Sequence, residues 1–261
     1  MRYHFNTMNV TLPLSTRARS LRAWYRRSLG QQLADAEASA LAAQLTNLFG
    51  YHLVVVDPPW DECRLGDSRI AHRVIQRVGN EPPVDAGMMA DTENWPIMTD
   101  SVDAIVLPHT LELAGDPHQV LREADRCLVP DGHLIIIGFN PRSLWGIRRV
   151  LARKRGELPW DTRFRSMSRV KDWLGLLGFD TLHSHFLFQR PPLQSERLLG
   201  RLRFMEPANG VGFMLLSAAY ILVARKRTFI MTPVREIQRT RARLFPVGIP
   251  SSSQGNVRRS E

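Results

Sequence analysis

Between residues 85 and 140 the chain passes from an acidic stretch to a wholly apolar run at 102–107, then a polar turn, an amphipathic segment and a second apolar run at 134–138. A strand that is apolar on both faces must be covered on both, so this order predicts a largely parallel α/β sheet with helices on either side. Upstream, Leu33, Ala36, Leu41, Leu45 and Leu48 recur at helical spacing and Gly50 follows, which predicts a helix over 33–48 leading into a strand at 52–56. Trp24, Tyr25, Leu29 and Leu33 suit a short helix docking ahead of it. A second strand is expected at 72–78, and Asp116 before Pro117 reads as a helix cap. Beyond 140 the pattern predicts a helix from Leu144, packed by Leu144, Ile147 and Leu151, and another over 169–177 that stops at Gly178. Strands near 180–188 and 213–225 then complete a seven-stranded sheet.

Composition bounds this picture more than it sharpens it. A chain of 261 residues with 44% apolar content can bury one good-sized core. The net charge of +10 is concentrated at the ends: residues 15–30 hold Arg17, Arg19, Arg22, Arg26 and Arg27 without an acid, while residues 31–224 are close to neutral. The expected division is therefore a basic N-terminal arm at 1–30, a folded domain at 31–227 and a basic tail at 228–261, with Ser251-Ser252-Ser253-Gln254-Gly255 offering nothing to bury. Such arms could touch nucleic acid or an anionic membrane surface, or stand as solvated tails; the first thirty residues also match the composition of a transit peptide. No apolar run reaches the ~18 residues needed to span a bilayer. Cys63 and Cys127 lack metal-ligand spacing, so no metal site is expected, and two unframed cysteines suit a reducing cytoplasm.

The central segment carries a resemblance. Asp91-Thr92-Glu93-Asn94-Trp95-Pro96-Ile97, Asp103-Ala104-Ile105-Val106, His109-Thr110-Leu111-Glu112 and the run from Val120 to Gly132 resemble, in order, the "DAEALPF", "FDVV", "HVLEH" and "LREVARVLKPGG" passages of class I S-adenosylmethionine-dependent methyltransferases of type 11. The resemblance implies a Rossmann-like seven-stranded sheet, S-adenosyl-L-methionine as methyl donor and a reaction centre at the carboxyl ends of the strands. It also implies residue roles: Asp91 beside the adenine ring, the Thr92 amide near its N1, His109 near the methyl group, Glu112 as a candidate general base and Asp57 as the acid that follows the first strand. For His109 and Glu112 the residues alone equally support a strand cap and a helix-face carboxylate.

One segment departs from the pattern. Where the family has a glycine-rich turn after the first strand, this chain has Asp57-Pro58-Pro59-Trp60, and proline fixes φ and removes an amide donor. The second strand ends in Val78-Gly79-Asn80 without a ribose-binding carboxylate, Glu81 lying late. Three readings follow: a methyltransferase acting on a small molecule through a divergent cofactor loop, a cofactor-free scaffold of the same fold, and an adenine-N6 nucleic-acid methyltransferase. The last rests on Asp57-Pro58-Pro59-Trp60, in which the acid would bind the target amine and the aromatic would stack on a flipped base.

Overall fold

A computed structural model describes residues 13–61, 68–79, 87–152, 159–192 and 215–227. Helices α1 (Leu14–Tyr25) and α2 (Ser28–Leu45) precede β1 (His52–Val56), β2 (His72–Arg77) and β3 (Gly87–Met89). β4 (Val102–Pro108), α3 (Thr110–Leu113), α4 (Pro117–Cys127) and β5 (Leu128–Phe139) follow, then α5 (Leu144–Ala152), α6 (Met167–Leu176), β6 (Phe179–Leu187) and β7 (Ala219–Lys226). The seven strands form one sheet in the order β3-β2-β1-β4-β5-β7-β6, parallel except for the two antiparallel pairings of β7.

Period-two alternation sorts the apolar strands between two cores. Leu53, Val55, Ala104, Val106, Ile135, Ile137, Ile221 and Val223 face one core with α1 and α2. Val54, Val56, Ile105, Leu107, Leu134, Ile136 and Leu222 face the other with α4 and α6. On α4, Val120, Leu121, Ala124 and Cys127 make the buried stripe, and Asp116 caps the helix by accepting from the amides of His118 and Gln119. Ser166 does the same for α6 through the Arg169 amide.

The sequence expectations hold for the strands and shift at three places. The helix expected at 33–48 begins at Ser28, and a separate helix, α1, precedes it: Ala18, Leu21, Trp24 and Tyr25 are buried in the first core. Residues 14–30 are thus part of the folded body, not an arm. Gly30 permits the tight α1–α2 corner, since a Cβ there would lie 2.5 Å from the Trp24 carbonyl oxygen. Second, β3 falls inside what reads as an acidic loop, because three residues are too few to show alternation. Third, the stripe expected to pack α5 is turned outward: Ile147 and Leu151 are exposed, while Arg148 lies over the Trp160 ring at 4.7 Å and Arg149 over Phe164 at 5.3 Å. Arginine stacked on aromatics satisfies both charge and area there, and Trp145 supplies the buried anchor. The expected tail at 228–261 lies outside the described residues. Among the described residues no helix is long and apolar enough to cross a membrane.

Candidate functional site

The strand order reverses between β1 and β4, and in open α/β sheets the crevice at the carboxyl ends of such a pair is where ligands bind. The residues that end these two strands both adopt positive φ without being glycine, Asp57 at 46° and His109 at 56°. That backbone conformation is costly for a side-chain-bearing residue and is held only where the surroundings over-determine it. Here they do. Thr110 Oγ1 donates to the Val56 carbonyl at 3.2 Å, His109 N donates to Ile137 O, and Asp57 N donates to Gln76 O.

A sealed polar cluster is built on His109. Its Nδ1 lies 2.8 Å from Glu112 Oε2, and its Nε2 lies 3.0 Å from Glu37 Oε1 and 2.8 Å from Tyr25 Oη. Tyr25 Oη donates to Glu37, and the Phe139 amide donates to Glu112 Oε1 at 2.5 Å. All four side chains are buried, and Phe139 packs against the imidazole with ring centroids 4.1 Å apart and the planes tilted by 35°. Burial by itself would drive the imidazole toward neutrality, but Glu37 and Glu112 on its two nitrogens overcome this and raise its pKa to about 10. Burial pushes Glu112 upward, offset by His109 and the Phe139 amide; burial and then Glu37 push the Tyr25 phenol well above its usual value. An imidazolium donating both protons to carboxylates has no lone pair to offer, so in this arrangement His109 cannot accept a proton and Glu112 has no access to a substrate.

Asp57 is also closed off. Arg22 of α1 meets its carboxylate at 2.7 Å, Arg77 approaches to 3.9 Å, and Arg77 donates to the Pro58 carbonyl at 2.8 Å. Burial raises the Asp57 carboxyl while the two guanidinium groups pull it down. Trp60 is packed into the first core at 5% exposure. The ring expected to stack on a flipped base is therefore core, and the acid expected to hold the target amine is an ion-pair partner of α1. Moreover, this motif ends β1, not the fourth strand. The geometry gives the adenine-N6 reading nothing to stand on.

Of the residues expected to hold the cofactor, Asp91 and Thr92 lie apart from Asp57 and His109. Asp91 is exposed, bridged to Asn94, and lines an open cleft of about 410 Å3 with Leu14, Ser15, Val78, Gly79, Met89 and Ala90. Thr92 is buried beside it; its carbonyl accepts from Trp95 Nε1, while its Oγ1 has no partner. Gln76 of β2 donates to the Asp91 carbonyl, and its Oε1 is likewise unpartnered. Of these, Asp91 is the one that lines the cleft, and its carboxylate would accept from the amino or hydroxyl groups of an adenosine.

Sequence reasoning missed Tyr25, Glu37, Arg22, Arg77 and Gln76. A signal existed for one of them: Glu37 sits at i+4 in the stripe Leu33, Glu37, Leu41, Leu45, where a carboxylate must face the core.

The profile of the methyltransferase-domain family matches residues 38–136. Uncharacterized protein YafS of Escherichia coli is 33% identical over 215 residues, covering 80% of this chain and 78% of YafS. Among solved structures, a SAM-dependent methyltransferase of Thermotoga maritima superposes with a TM-score of 0.57 at 19% identity, covering 80% of this chain and 98% of that one. Another from Archaeoglobus fulgidus gives 0.53 at 14% identity over 78% of this chain and 97% of its own. The fold and the matched segment agree, and the chain belongs to the type 11 family of class I methyltransferases, enzymes that use S-adenosyl-L-methionine as methyl donor.

Proposed function

We propose that this chain transfers a methyl group from S-adenosylmethionine to a small-molecule acceptor, in a site that α1 covers at rest. The cleft at the ends of β2 and β3 carries the reading: it holds about 410 Å3 and has the exposed carboxylate of Asp91 in its lining. His109 acts here as a positioning residue. It fixes α1 and α2 to the ends of β4 and β5 through Tyr25, Glu37 and Glu112, and so shapes the reaction centre without exchanging a proton. Transfer of a sulfonium methyl needs alignment and exclusion of water more than a side-chain base, which suits a centre walled by Phe139, Trp24 and Phe164.

The test is thermal unfolding with and without S-adenosylhomocysteine, for the wild-type chain and for Asp91→Ala. A ligand that binds only the folded state raises the melting temperature in proportion to its affinity. The wild type should shift clearly, and Asp91→Ala should bind about tenfold more weakly, as expected for loss of a charged hydrogen-bond acceptor. Equal shifts in the two proteins would move the adenosine out of this cleft. Absence of any shift at saturating ligand would leave a scaffold that keeps the family's fold without its cofactor.

A further inference from the structure

A second cavity opens on the same carboxyl edge of the sheet, beyond β5. It holds about 180 Å3 and is lined by Asn140, Arg142, Ser166, Met167, Ser168, Lys171 and Phe186. Its floor is apolar, from Met167 and Phe186, and its rim carries two cations. The Asn140 side chain holds the turn beneath it by donating to the Ser217 carbonyl at 3.2 Å and accepting from the Arg142 amide at 3.0 Å. The Arg142 side chain is exposed, and among the described residues its guanidinium makes no hydrogen bond or ion pair. Lys171 Nζ donates to the Ser184 hydroxyl at 2.9 Å, a neutral partner, and among the described residues no acid pairs with its charge. Around the cavity the stretch from Arg163 to Asp172 brings Arg163, Arg165, Arg169 and Lys171 against a single acid. Arg165 feels that crowding: burial and then the neighbouring Arg163 and Arg169 lower its pKa, and its Nε is buried without a partner.

We infer that this cavity binds an anionic group, a carboxylate or phosphate, carried by the methyl acceptor. Two unneutralised cations over an apolar floor, with the Ser166 and Ser168 hydroxyls at the same rim, match a small anion joined to an apolar body. The placement suits an acceptor: Asn140 directly follows Phe139, whose ring touches the His109 imidazole at the end of the neighbouring strand. An acceptor anchored by its anion beyond β5 would extend its nucleophile across about one strand spacing toward the switch crevice. The assignment of this anion to a methyl acceptor rests on the methyltransferase reading; the anion site itself does not.

Isothermal titration of the full chain separates the two. Phenyl phosphate and benzoate, titrated at constant ionic strength, present one apolar body with either anion. At least one of them should bind the wild type, and the stronger of the two names the acceptor's anion. Arg142→Gln and Lys171→Gln should each weaken that binding about tenfold, the loss of one charge-assisted hydrogen bond. Arg26→Gln, an exposed cation on the α1–α2 corner, should leave it unchanged. No binding of either probe to the wild type overturns the proposal. So does equal weakening by Arg26→Gln, which would show diffuse attraction to a basic surface. Binding of S-adenosylhomocysteine in the same preparations is the independent readout: anion binding without it keeps the site and removes the methyltransferase reading, and the reverse removes the site alone.

Discussion

At the residue scale the chain concentrates its cost in one place, four polar side chains sealed at the ends of β4 and β5. Taking charges out of water is repaid only when every partner is present, so a cluster of this kind is more informative when broken than when counted. Each member is held by a different element: Tyr25 by α1, Glu37 by α2, His109 by the strained end of β4 and Glu112 by α3. Gly138 makes room for the last, since a Cβ there would lie 3.2 Å from Glu112 Oε1 and 2.7 Å from the Tyr220 hydroxyl. The folded imidazole keeps its proton to about pH 10, against an ordinary value of 6.5. Between those values the folded state holds a proton that the unfolded state has lost. His109 therefore contributes stability that is complete below about pH 6.5 and declines as pH rises toward 10. Unfolding free energies from urea titrations across that window should fall with pH in the wild type. In His109→Gln they should start lower, by roughly 3–5 kcal/mol for a broken buried pair, and show a much flatter profile. A parallel decline in both proteins would place the titration elsewhere.

At the scale of elements, α1 decides what the site can do. Its sequence is basic and short, which reads as an arm, yet two of its arginines are spent inside the fold: Arg17 on the Glu112 and Leu113 carbonyls and Arg22 on Asp57. The strands were legible because their pattern is local; every expected strand is present with its ends moved by a few residues. The closure of the crevice was not legible, because it depends on Tyr25 meeting Glu37 and His109 and on Arg22 meeting Asp57 across thirty-five residues, pairings that no period or spacing encodes. The proline loop had the same limit: Asp57-Pro58-Pro59-Trp60 could be read as a catalytic motif until Trp60 was found in the core and Asp57 under α1. If α1 is the cover, weakening its latch has a signed consequence. Arg22→Ala removes a charge-assisted hydrogen bond worth about 1.5–3 kcal/mol and leaves Asp57 with the Val78 amide and the more distant Arg77. The melting temperature should drop while S-adenosylhomocysteine binds more tightly, by up to about tenfold, because less of the protein is held in the closed form. Weaker binding in Arg22→Ala would instead make Arg22 a direct contact of the ligand.

For the whole molecule, the question is how much of the chain the enzyme needs. Among the described residues all seven strands are in place by Lys226, and both cores are built from residues up to Ala224. Antiparallel β7 lies inside the sheet between β5 and β6, so the last described element is among the most deeply embedded: Ala218, Ala219, Leu222 and Ala224 have no exposed surface. Lys226 then ties the end of β7 to the start of β4 and to α4, reaching Asp100 at 3.0 Å and the Asp125 carbonyl at 2.7 Å. Residues 229–261 add six arginines against two glutamates, a net of +4, and three prolines at 233, 246 and 250 within a stretch of otherwise modest hydrophobicity. A chain ending at Thr228 should keep the melting temperature of the full protein to within a few degrees and bind S-adenosylhomocysteine with unchanged affinity. Its retention on an anionic polymer such as heparin should weaken and become less steeply dependent on salt, as fewer counterions are displaced. If the truncated chain instead melts far lower or loses the ligand, the tail is part of the fold and its arginines complete the site. Unchanged heparin retention would assign the basic surface to the cluster around Arg142, Arg165 and Lys171, the same residues that line or adjoin the second cavity.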